Sequence, residues 1–217
     1  MDRKEALNYV QELKKHEIKR KFVQMVDIVV NLQDLNFKNP AHQVDFFITF
    51  QHELGKKRKI CALVGPELED QAKQVCDFVV SQREFEKYQK DKKLAKNLAK
   101  QYDFFIAQAN IMTAIAATFG RVFGPRGKMP NPKAGCVVPG NANLKPLYER
   151  LQKTIRVQAK GKPTVYSFLG RESLAQETLA EHLFSFYDQL IHHLPAERNN
   201  IKNMVIKTTM GKPVKIH

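Results

Sequence analysis

The chain has 217 residues, 43% of them hydrophobic, which is enough material for one large domain or two small ones with real cores. Lys and Arg outnumber Asp and Glu 36 to 22, a formal charge of +14 that favours a polyanionic partner. Its three cysteines, Cys61, Cys76 and Cys136, are odd in number and scattered among apolar or small neighbours, so structural thiols of a reducing, cytoplasmic compartment are expected; no leader-like or membrane-spanning apolar run interrupts the sequence.

Residues Arg3 to His16 place Ala6, Val10 and Leu13 at helical spacing among charges, which predicts a surface helix with one buried stripe. From Phe22 the alternate residues Phe22, Gln24, Val26, Ile28 and Val30 share one face of a strand. After a loop at Asn36 to Pro40, Val44, Phe46, Ile48 and Phe50 alternate again, and the two strands are expected to pair antiparallel. At Gly55 to Lys59 the rhythm changes: the short apolar runs ICALV, DFVV and DFFIA alternate with helices, including a lysine-rich one over Glu84 to Lys100 and another over Asn110 to Thr118. That alternation predicts βαβ units and a parallel sheet. Beyond Asn143 come a helix (LKPLYERLQKT), strands at Ile155 to Gln158 and Val165 to Leu169, and a long helix with the stripe Leu179, Leu183, Phe186 and Leu190, opened by a capping box of Ser173 with Gln176 and stopped before Pro195. The last strand is Met204 to Thr209. The expected architecture is a discontinuous α+β domain made from both chain ends (1–54 and 155–217), carrying an inserted α/β domain (55–154) whose two crossings would act as a hinge.

Between Phe104 and Tyr148 there is no Asp or Glu, while FGRVFGPRGKMPNPKAGCVV packs glycines and prolines around Arg121, Arg126, Lys128 and Lys133. Pro125, Pro130 and Pro132 exclude a helix interior or central strand, so this run reads as a stiff cationic loop suited to a phosphate backbone. Its position after a strand–helix unit puts it on the side where open α/β sheets take ligands. No phosphate-binding P-loop is present, since Val122 and Met129 stand where that motif needs Gly and Ser or Thr. Gly124-Pro125-Arg126-Gly127 satisfies a KH-type GxxG, but the following prolines forbid the second helix of that module. A dinucleotide fingerprint, a metal-ligand spacing and a nucleophile elbow are also missing, so no cofactor, no metal and no catalysis are expected, with a nucleotide-using α/β enzyme as the alternative. At the other end, Thr209-Met210-Gly211 followed by Lys212 offers hydroxyl, thioether, bare backbone and cation within one turn, a combination that suits RNA with its 2′-OH.

Taken together, RKFVQMVDIVV, YDFFIAQANIM, FGPRGKMPNP, NANLKPLYERLQKT and KTTMGKPVKI resemble the L-one family of large-subunit ribosomal proteins, those of the mobile stalk, in its archaeal form. The resemblance implies a Rossmann-like, three-layer inserted domain and a first domain that carries the main RNA site. On this sequence the implied RNA-binding residues are Lys21, Phe22, Gln24, Thr208, Thr209, Met210, Gly211 and Lys212, with Arg121, Arg126, Lys128 and Lys133 as a secondary RNA or tRNA contact. It further implies a structural constituent of the large ribosomal subunit that binds rRNA near the tRNA exit site and assists release of deacylated tRNA. Repression of translation through its own mRNA leader is implied as well, as is a monomer off the ribosome. Where the family usually has Pro-His-Gly at the first crossing, this chain reads Phe50-Gln51-His52-Glu53.

Overall fold

A computed structural model describes residues 1–16, 18, 20–36, 39, 42–159 and 161–216. In chain order the elements are α1 (Arg3–Lys15), β1 (Met25–Leu32), β2 (Val44–Thr49), β3 (Ile60–Val64), α2 (Pro66–Val75), β4 (Phe78–Ser81), α3 (Phe85–Lys90), α4 (Lys92–Gln101), β5 (Phe104–Gln108), α5 (Met112–Phe123), β6 (Val137–Val138), α6 (Leu144–Gln152), β7 (Thr154–Ala159), β8 (Thr164–Arg171), α7 (Gln176–His193), β9 (Ile201–Thr208) and β10 (Val214–Lys215). Of the loop expected at Asn36 to Pro40, Phe37, Lys38 and Pro40 lie outside the described residues. The chain divides into two units, Met1–Lys56 with Lys153–His217, and Lys57–Gln152.

The first unit is α+β. Its larger sheet runs β10-β9-β1-β8, antiparallel throughout, and β2 pairs with β7 in a second, two-stranded sheet. The expected pairing of β1 with β2 is therefore wrong. Both edges of β1 are taken by β8 and β9, and β2 is held to β7 by a two-pronged ion pair, Arg156 Nε to Asp45 Oδ1 at 2.8 Å and Nη2 to Oδ2 at 2.6 Å, and by the Thr49–Thr154 hydroxyl pair at 3.0 Å. Proximity in sequence loses to these cross-strand partners. Along β1 the residues Val26, Ile28, Val30 and Leu32 are buried and share one core with Ala6, Val10 and Leu13 of α1 and with Leu179, Leu183, Phe186 and Leu190 of α7. The alternation stops short of Phe22, which is 52% exposed, because the chain bends before Met25.

Helix α7 does not begin on the expected capping box. Ala175 is its N-cap, with no side-chain bond to the first turn. The preceding residues are used otherwise: Leu174 N–H donates to Arg171 O at 3.1 Å, and the Leu174 side chain tucks under Gly170, where β8 bulges against β1. Ser173 is thus spent inside a turn.

The second unit is α/β with a parallel sheet, order β4-β3-β5-β6. All five residues of β3 are buried, as a strand covered on both faces requires. Leu63, Phe105 and Ala107 pack against Phe85, Leu98, Ile115, Phe119 and Phe123 from α3, α4 and α5, and α2 lies beside α6. The lysine-rich helix is two helices broken at Asp91, whose carboxylate caps α4 by accepting Lys93 N–H at 2.7 Å; Leu94 of α4 is 45% exposed. All three cysteines are free, and burial raises each thiol pKa, Cys76 and Cys136 to about 11, which keeps them protonated and inert.

Gly170 has φ +148, and a Cβ there would meet Leu174 Cδ1 at 2.6 Å and Leu54 O at 3.3 Å. Gly170→Ala is expected to cost about 1–3 kcal/mol through that strained backbone and clash, seen as a lower urea midpoint; an unchanged midpoint would show that the bulge relaxes freely.

Candidate nucleic-acid interface

The site read from the chain ends is assembled by β1 and β9. Thr209 N–H donates to Met25 O at 3.0 Å and Met25 N–H donates to Thr209 Oγ1 at 3.1 Å, which continues the ladder one pair beyond the strands. Gln24, fully buried, ties the two segments further: its Oε1 accepts Met210 N–H at 2.9 Å, and its Nε2 donates to Ile18 O at 2.9 Å. Glu172 completes the arrangement, its Oε1 accepting Gln24 N–H at 2.9 Å while its own N–H donates to Gln24 O at 3.0 Å. Thr208 to Gly211 is a tight turn closed by Gly211 N–H to Thr208 O at 3.1 Å, and a Cβ on residue 211 would overlap the Thr208 hydroxyl. Any larger residue there would have to displace that hydroxyl.

The consequence is a turn with a rigid base and an open rim. Phe22 and Met210 are each 52% exposed, with Val23 and Ile18 beside them and Lys21, Thr209 and Lys212 also on the surface. Of the expected contact residues Gln24 and Thr208 are buried, and both bond neighbouring backbone: Gln24 to Met210 N–H and Ile18 O, and Thr208 O to Gly211 N–H. The Thr208 hydroxyl and Glu172 Oε2 are buried without a hydrogen-bond partner among the described residues. Sequence reading missed Glu172, because its role is set by a turn between β8 and α7 that carries no motif of its own.

The cationic loop in the second unit has a different character. Its first five residues are the last of α5, with Phe119, Val122 and Phe123 buried, so the expectation of a loop from Phe119 onward is corrected. Gly127 N–H bonds Gly124 O at 3.0 Å and Lys128 N–H bonds Phe123 O at 2.9 Å, with Gly127 at φ +64: this is a left-handed glycine cap closing the helix, which explains the GPRG run without a ligand. Arg126 Nη1 donates to Lys96 O at 2.8 Å and Lys128 Nζ to Tyr102 O at 2.5 Å. Tyr102 precedes β5, so the loop starts at the amino ends of the parallel strands, opposite to the side expected. Half-buried, the Lys128 ammonium has its pKa lowered by desolvation. Arg121 and Lys133 remain exposed.

At the carboxyl ends of β3 and β5, where the strand order reverses and such sheets take ligands, the crevice is filled by the chain itself. Gln108 Oε1 accepts Gly65 N–H at 2.8 Å, its Nε2 donates to Glu67 Oε2 at 2.8 Å, and Gly140 is packed against both side chains. A carboxylate stands where a nucleotide would need room for phosphate. No group of His, Cys, Asp and Glu suited to a metal occurs among the described residues, and none of the described helices is long and apolar enough to cross a membrane.

Comparison with known proteins gives one consistent picture. The ribosomal protein L1p/L10e family matches residues 13–212. The chain is 36% identical over 216 residues to the large ribosomal subunit protein uL1 of Methanothermococcus thermolithotrophicus, covering 100% of this chain and 99% of that one. It is 39% identical to the uL1 protein of Methanobrevibacter smithii, covering 98% of each, and 37% identical to that of Thermococcus kodakarensis, covering 99% of this chain and 98% of the relative.

Gln24→Ala removes the acceptor of Met210 N–H and the donor to Ile18 O inside a closed environment. It is expected to cost about 1–3 kcal/mol and to speed hydrogen exchange at the Met210 amide; unchanged exchange would mean that the turn holds its shape without Gln24.

Proposed function

The chain belongs to the ribosomal protein L1p/L10e family, and from that premise we propose that it is a structural constituent of the large ribosomal subunit that acts by binding rRNA and not by catalysis. The observation that carries the RNA site is the exposed pair Phe22 and Met210, presented by a backbone-knit turn between Lys21 and Lys212. A preformed turn loses little entropy on binding, and its bare Gly211 lets a sugar–phosphate chain come close. The aromatic and thioether groups supply apolar contact, the flanking lysines supply phosphate attraction, and Thr209 Oγ1 can meet a ribose 2′-OH. This is recognition by shape and backbone.

Arg121 and Lys133 suit a secondary contact to rRNA or to tRNA at the exit site. Arg126 and Lys128 spend donors on backbone carbonyls of their own unit, so they support that contact mainly through net charge. The same turn would accept a similarly folded segment of the protein's own mRNA leader, which makes translational repression the regulatory extension of one binding site. The protein's place is on the cytoplasmic ribosome, as a monomer when released from it. A nucleotide-using enzyme has no support from the crevice at β3 and β5, which Gln108 and Glu67 occupy.

Phe22→Ala and Met210→Ala are each expected to weaken binding to a transcript of archaeal large-subunit rRNA by about 1–3 kcal/mol, whereas Lys96→Ala should change chiefly the salt dependence. Filter binding over a salt series measures both effects. Normal affinity in both of the first two variants would remove the strand-end turn from the proposal.

A further inference from the structure

We propose that the open face of the β10-β9-β1-β8 sheet extends the RNA site, with Tyr166 as a platform on which an unpaired base stacks. The inference rests on the reading of the strand-end turn as an RNA site and names a second, independent contact.

Tyr166 lies on β8 opposite Val29 of β1, Val29 lies opposite Val205 of β9, and Val205 lies opposite Lys215 of β10. Residues paired across strands share a face, so this row points away from the core that Val26, Ile28 and Val30 form with α1 and α7. Tyr166 is 71% exposed, more than any other large hydrophobic residue described. A single exposed tyrosine on a strand needs no explanation. Its company does. Among the described residues of the first unit the exposed large hydrophobics are Ile18, Phe22, Val23, Met210 and Tyr166: the first four surround the strand-end turn, and the fifth stands on the face of the sheet that this turn terminates. From Met25, which bonds Thr209, to Val29 is about 14 Å along β1, and β9 and β8 lie about 10 Å apart across it, so turn and ring are within the reach of a short run of nucleotides.

The chemistry around the ring suits a nucleic acid. Lys215 ends the same row, and in the next row Lys207 stands opposite Asp27, offsetting that carboxylate. On the far side a polar row, Thr164 Oγ1 to Asn31 Oδ1 at 3.1 Å and Asn31 Nδ2 to Asn203 Oδ1 at 2.7 Å, presents hydroxyl and amide groups able to meet base edges. A flat aromatic ring bordered by cations and amides favours an extruded base over an apolar protein surface or a lipid.

The test compares Tyr166→Ala, Tyr166→Phe and Tyr166→Lys with the unaltered protein on the same rRNA transcript, with Met210→Ala as the reference. Stacking predicts a loss of roughly 5- to 150-fold for the alanine variant, near-normal affinity for the phenylalanine variant, and a salt slope unchanged in both. The lysine variant separates the mechanisms: it weakens binding if the ring stacks and strengthens it if the face offers only charge. Thermal melts of all variants should match the parent, since the side chain is exposed. If Met210→Ala weakens binding while Tyr166→Ala and Tyr166→Lys do not, the platform is refuted and the strand-end site stands. If the unaltered protein does not prefer the transcript over random duplex, both readings fall together.

Discussion

Strand β1 has a segment from the far end of the chain on each side, β8 along one edge and β9 along the other, and the first unit exists because of that sandwiching. Neither neighbour is close in sequence, so the hydrogen-bond ladder is what brings residues near 24 to residues near 210. Once β9 is in register, the ladder runs one pair past the strand ends to Thr209, and Gln24 extends it to Met210. The candidate RNA surface is therefore the terminus of a sheet, made stiff by the same bonds that hold the fold. A loop of similar composition without that anchorage would have to be ordered on binding, at a cost in affinity.

Much of this layout is legible in the residues. Period-two alternation in Val26, Ile28 and Val30 and the helical stripe of α7 fall on the buried faces, because burial on one side leaves that imprint directly. Strand partnership is a different matter, since alternation specifies a face and not a neighbour. The mistaken pairing of β1 with β2 has this origin, and so does the failure to anticipate Glu172, which acts through main-chain geometry. Phe22 is visible only through the family resemblance, since alternation groups it with the core-facing residues of its strand, whereas Met210 is also marked by the Thr-Met-Gly-Lys turn near the end of the chain.

By charge alone the acid-free stretch around Gly124 to Lys133 reads as a loop suited to phosphate, yet its glycine closes a helix and two of its cations bind carbonyl oxygens of the second unit. Composition records how many positive groups a segment has and is silent on how many are already engaged. The same lesson applies in reverse to Gln108: a neutral side chain carries no sequence signal, yet it occupies the crevice at β3 and β5, bonded to Gly65 and Glu67.

The discontinuity of the first unit also sets an order of assembly. During synthesis β1 leaves the ribosome long before β8 and β9 have been made, so its apolar face and both of its edges must wait. The second unit, by contrast, is one uninterrupted stretch from Lys57 to Gln152 and can close its core while the C-terminal strands are still being translated. Nascent chains halted before Ile201 would hold a finished inserted unit and a β1 whose β9 edge has no partner strand, and the delay falls on the part of the molecule whose pairings span the greatest sequence separation.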